Sequence, residues 1–88
     1  MPTISMFYGI IIRMYWDDSD RHKMPHFHAY YADYEAVFSL EGNLIAGFFP
    51  NKQSAYVKAW ALLHEEELNA NWLLALNHEE TYRIEPLK

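Results

Sequence analysis

The stretch His26-Phe27-His28-Ala29-Tyr30-Tyr31-Ala32-Asp33-Tyr34-Glu35-Ala36-Val37-Phe38-Ser39-Leu40 decides how this chain is read. It holds two runs rich in aromatic and β-branched residues, separated by the pair Ala32-Asp33. Residues alternate across a strand, so Tyr34, Ala36, Phe38 and Leu40 share one face of the second run, Tyr34 to Leu40. Pro25 precedes the first run, His26 to Tyr31, at a strand start, where its missing N–H costs least. Two strands joined by so short a connection are antiparallel neighbours.

Working outward, the same period continues on both sides. Phe7 to Trp16 carries Tyr8, Ile10, Ile12, Met14 and Trp16 at alternate positions, which predicts one strand with a well-buried face. The polar stretch Asp17 to Met24 reads as a loop. Glu41-Gly42-Asn43 is a turn signal, and Leu44 to Phe49 follows as a further strand. These runs together predict an antiparallel meander of about four strands.

After Pro50 the period changes. Tyr56, Ala59, Trp60 and Leu63 recur at helical spacing, and so do Leu68, Trp72, Ala75 and Leu76, but in another phase. One straight helix cannot turn both stripes toward one sheet. Two helices are therefore expected, about 51–63 and 65–77, broken near His64, with Asn51 or Ser54 as N-cap of the first. Glu65, Glu66 and Glu67 then fall in the first turn of the second, where the helix dipole favours anions. A short last strand, Tyr82 to Ile84, completes an α+β fold with both helices on one face of the sheet and Trp60, Leu63, Leu68 and Trp72 in its core. Residues 1–88 read as a single domain, with no repeat and no linker-like composition.

Composition narrows the function. There is no cysteine, which removes disulfides, thiolate metal sites and a cysteine nucleophile, and suits a reducing compartment. The start of the chain shows no signal-peptide pattern and no apolar run approaches a membrane span, so a cytoplasmic, non-membrane protein is expected. The formal net charge is -5, with no long basic face, which disfavours direct nucleic-acid binding. Nothing in the sequence implies a cofactor.

One polar run stands out: His22-Lys23-Met24-Pro25-His26-Phe27-His28. On a strand, His26 and His28 project from the same face, which suits a shared substrate, an acid/base pair or a two-imidazole metal ligand set. Arg13, an arginine inside an apolar strand, is either paired or at a site, and could hold an anion beside them. The candidate catalytic residues are thus His26, His28 and Arg13. The candidate binding residues are Arg13, His22, Pro25, His26, Phe27 and His28. Asp17, Asp18, Asp20 and His22 in the preceding loop could supply further ligands to a metal at His26 and His28, but no third ligand stands at fixed spacing. The plainer alternative is that both imidazoles bond to neighbouring hydroxyls or carboxylates.

The runs Pro2-Thr3-Ile4-Ser5-x-Phe7-Tyr8-Gly9-Ile10, Pro25-His26-Phe27-His28, Trp60…Leu63-His64-x-Glu66-x-Leu68…Asn71-Trp72 and Ile84-Glu85-Pro86-Leu87 resemble the family called domain of unknown function 4160. The resemblance spans essentially the whole chain, departing in the longer and more charged loop Asp17 to Met24. It implies a small bacterial or phage-borne protein with no settled activity, encoded beside another small protein in a toxin–antitoxin-like pair. It implies a protein partner more than a reaction, with the Pro25–His28 run as a hallmark. The leading expectation is a protein-binding module using the histidine-bearing face. The alternatives are a histidine-dependent nuclease or hydrolase and a metal-binding regulator, and a homo-oligomer stays open.

Overall fold

The computed structural model describes residues 3–15 and 24–88. Five strands, β1 (Thr3–Phe7), β2 (Ile10–Arg13), β3 (His26–Tyr31), β4 (Tyr34–Ser39) and β5 (Leu44–Gly47), precede two helices, α1 (Asn51–Leu63) and α2 (Glu65–Leu76). The strands form one sheet in sequence order, each antiparallel to the next. The expected α+β meander with two C-terminal helices is therefore present, with one strand more than expected.

The extra strand comes from the run Phe7 to Trp16, which is not one strand. The chain reverses at Tyr8-Gly9, where both residues take positive φ (50° and 79°), the requirement of a type I′ hairpin. Thr3–Phe7 is thereby folded back onto Ile10–Arg13, and Phe7 faces Ile10. Period two carries smoothly through this turn because Tyr8 is aromatic, which hid the boundary. Trp16 and the segment through Lys23 lie outside the described residues.

One face of the sheet is the core. Ile10, Ile12, Met14, Phe27, Ala29, Ala36, Phe38 and Leu40 are all buried there, and α1 and α2 add Val57, Trp60, Ala61, Leu68, Trp72 and Ala75 to the same cluster. Phe27 stacks on Phe38 at 5.8 Å, and Trp60 packs against Phe27 and Phe7 at 5.6 and 5.4 Å. Tyr34, expected on this face, is exposed at its end.

The helices break at His64 (φ -121°, ψ 32°), as the change of phase predicted. Two features differ from expectation. The buried face of α1 is Val57, Trp60 and Ala61, while Leu63 is 70% exposed, because the stripe centres on the single large Trp60 ring. Neither Asn51 nor Ser54 caps α1. Pro50 takes the N-cap position in extended conformation, and its carbonyl accepts the Ser54 N–H at 2.8 Å.

The last strand, Tyr82 to Ile84, does not form. Asn71 on α2, fully buried, donates to the Tyr82 carbonyl at 2.8 Å and accepts the Tyr82 N–H at 3.0 Å. Those are the backbone groups a ladder would need. The Ile84 N–H then meets the Ile4 carbonyl of β1 at 2.7 Å, and Trp60 Nε1–H donates to the Glu85 carbonyl at 2.8 Å. The C-terminal segment thus lies over the outer edge of β1. On the opposite side, β5 ends at Gly47 (φ +86°), where an added Cβ would stand 2.5 Å from the Glu35 carbonyl oxygen. Among the described residues no backbone hydrogen bond reaches the outer edge of β5.

Trp60→Ala should cost about 3–5 kcal/mol, as for a large buried ring, whereas Leu63→Ala should stay within about 0.5 kcal/mol, as for an exposed site. Asn71→Ala should cost about 2–3 kcal/mol, because it strands both Tyr82 backbone groups. Chemical denaturation of the three variants checks the order. A cost at Leu63 equal to that at Trp60 would contradict the packing.

Candidate functional site

Strand alternation sends one set of β2 and β3 side chains into the core and the other to the opposite face. Arg13 is the register partner of His28, Ile11 of Tyr30, and His26 of Ser39 on β4. Arg13, His26, His28 and Tyr30 therefore share the face away from the core, as the spacing requires. Phe27 lies on the other face, fully buried between Phe38 and Trp60, and is a core residue. Pro25 is exposed just before β3, and His22 lies outside the described residues.

The two histidines are not on an open face. His26 is 1% exposed and His28 9%. The His26 ring nitrogen Nδ1 is 2.8 Å from the Met24 carbonyl oxygen, and its ring packs on Trp72 of α2 at 5.1 Å. His28 stands 5.4 Å from His26 and edge-on to Tyr15 at 4.7 Å. The first four residues of β3 are buried in succession, so this end of the strand is covered on both faces. Among the described residues no three of His, Asp and Glu are grouped so as to hold a metal ion.

The accessible part of the site is built by residues the sequence reading passed over, Tyr15 and Tyr30. Their hydroxyls are 2.5 Å apart. Arg13 reaches over the Tyr30 ring, its Cζ 5.3 Å from the centroid, and its Nε–H donates to Thr3 Oγ1 at 3.3 Å. Each tyrosine stands two residues beyond a residue already singled out, Arg13 and His28, so the strand period could have found them. Burial first, then the hydrogen bond and charge of Tyr15 and the charge of Glu35, hold the Tyr30 phenol well above the usual tyrosine range, against a lowering by Arg13.

The second accessible feature is apolar. Tyr34, Leu44, Ile45 and Phe48 on and around β5 are exposed, and the Tyr34 and Phe48 rings pack on each other at 5.6 Å.

The profile of the family described as "Domain of unknown function (DUF4160)" matches residues 9–73 of this chain. The chain belongs to the DUF4160 family. No curated protein and no solved structure matches it. The DUF4160 match takes in Arg13, Tyr15, both histidines, Tyr30 and β5, together with α1 and most of α2. Among the described residues of this DUF4160 chain, no helix is long and apolar enough to cross a membrane.

A phenol that holds its proton more tightly in the folded state stabilises the fold fully below the unfolded value of about 10, and that contribution is lost as pH rises through the higher folded value. One tyrosine should therefore ionise later than the rest in an absorbance titration. Tyr30→Phe should remove that late step and flatten the loss of stability above pH about 10. A Tyr30 that ionises together with the other tyrosines would contradict the environment described.

Proposed function

We propose that this chain is a small protein-binding module, one member of a toxin–antitoxin-like pair of bacterial or phage-borne proteins, acting in the cytoplasm and taking an extended segment of its partner along β5. The open edge of β5 carries this reading. Edge strands left available are ordinarily blunted by lysine, proline or a covering segment, because they template pairing with another chain. The edge at β1 has such a cover in the C-terminal segment. The edge at β5, Leu44-Ile45-Ala46-Gly47, has neither charge nor proline and exposes apolar side chains. Strand addition there supplies main-chain hydrogen bonds for affinity, with Leu44, Ile45, Phe48 and Tyr34 for specificity.

A different protein suits this edge better than a second copy. Asp33, Glu35 and Glu41 are exposed on or beside β4, and the chain carries a net charge of -5. Two copies would bring like charges together, whereas a basic-flanked apolar segment complements the edge. The contact surface therefore moves from the histidine face to the β5 edge. The buried imidazoles of His26 and His28 lend no support to a histidine-dependent nuclease, whose base must reach a substrate proton.

The test is co-expression with the protein encoded beside it and measurement of the complex by calorimetry. Phe48→Asp and Ile45→Lys should each weaken binding at least about tenfold, as at the centre of an interface, while leaving thermal stability near wild type. Wild-type affinity in both variants, or no complex at all, would contradict the reading. A wild-type homodimer that dissociates in both variants would assign the edge to a second copy instead.

A further inference from the structure

We infer that Arg13, with the paired hydroxyls of Tyr15 and Tyr30, forms a binding site for a small tetrahedral oxyanion of the phosphate class, separate from the β5 edge. The strong bidentate partners of a guanidinium are carboxylates and phosphates. Arg13 is half-buried and, among the described residues, makes no ion pair. Its Nε–H is taken by Thr3 Oγ1, which fixes the side chain. Of the five N–H donors of a guanidinium, the four on the two Nη atoms remain for a ligand. They form the planar fork that binds two oxygens of an oxyanion side by side.

The tyrosines add a donor in another direction. Their hydroxyls, 2.5 Å apart, share one hydrogen bond, which uses one of the two O–H protons. The other proton can be donated outward. The Arg13 Cζ lies 5.3 Å from the Tyr30 ring centroid, so that hydroxyl is supplied beside the fork. A ligand oxygen beyond the two that the fork takes is a property of phosphate and sulfate, and not of a carboxylate. The Tyr30 phenol, held above its usual range, stays protonated at neutral pH.

The donors are also held in place. Thr3 anchors Arg13 from β1, the His28 ring meets the Tyr15 ring edge-on, and Tyr30 sits within the central strand β3. Donors fixed before binding lose little side-chain entropy on binding. Glu35 is the opposing charge: it is the β4 register partner of Tyr30 and acts on its phenol. It is exposed, so solvent screens it. The site is consequently of modest affinity and needs the arginine.

Titration with inorganic phosphate at constant ionic strength, followed by NMR of backbone and arginine side-chain resonances, tests the inference, with acetate as the planar control. Phosphate should give saturable shifts centred on Arg13, Tyr15 and Tyr30, and acetate should bind more weakly. Arg13→Gln should weaken phosphate at least about tenfold, in line with loss of hydrogen bonds to a charged group. Tyr15→Phe and Tyr30→Phe should each weaken it about threefold or more, a smaller loss than that of a charge-assisted bond. Arg13→Lys keeps the charge without the fork and should also fall below wild type. Absence of saturation, equal binding of acetate, or wild-type affinity in Arg13→Lys or in Arg13→Gln would overturn the site.

Discussion

The buried indole of Trp60 is the interaction on which the rest of the structure depends. Its ring is fully enclosed and meets Phe7 of β1 and Phe27 of β3, so one side chain of α1 spans the sheet from its edge strand to its centre. An indole N–H taken out of water needs an acceptor. Here the acceptor is the Glu85 carbonyl, from the C-terminal segment. The same segment is tied a few residues earlier by Asn71, whose amide answers both backbone groups of Tyr82. Between these two anchors the Ile84 N–H is delivered to Ile4. Closing the β1 edge is thus a consequence of satisfying polar groups at the helix–sheet interface.

Among the described residues no such device acts on the other side of the sheet. The turn Glu41-Gly42-Asn43 packs on α1, where a Cβ on Gly42 would stand 2.7 Å from the Lys58 Cα, and Asn43 Oδ1 accepts from Lys58 Nζ at 2.7 Å. These contacts hold the entrance to β5 but do not cover its outer edge. The molecule is therefore asymmetric, with one protected and one available edge. The Arg13–Tyr15–Tyr30 cluster sits on the sheet face away from the core, so the two proposed binding sites share no side chains.

The parts of the fold that were legible in the sequence are those in which pattern and packing coincide. The break at His64 could be read because the apolar residues before and after it cannot face one sheet from one helix. The strands His26–Tyr31 and Tyr34–Ser39 could be read because their connection is too short for anything but a hairpin. The Tyr8-Gly9 hairpin was not, since an aromatic residue with positive φ looks like one more step of a strand. Leu63 was misplaced because periodicity gives an apolar stripe but not its centre, which the size of Trp60 sets.

The candidate site was legible to a similar degree. Period two correctly put Arg13, His26 and His28 on one face. It carries no information on whether a polar face is covered, and the imidazoles proved buried beside Trp72 and Tyr15. Tyr15 and Tyr30 escaped notice because tyrosines are common in strands for packing alone. The open edge of β5 was invisible for a different reason: which strand ends a sheet, and what lies beyond it, depends on the C-terminal segment reaching β1.

Residue-resolved amide hydrogen exchange, with and without the proposed partner protein, tests the central claim most directly. In the isolated chain, the β5 amides that point away from β4 should exchange with little protection, while the Ile84 amide is protected by Ile4. Adding the partner should slow those β5 amides and leave Ile84 unchanged. Protected outer β5 amides in the isolated chain, or a partner that binds and leaves them fast, would contradict the account.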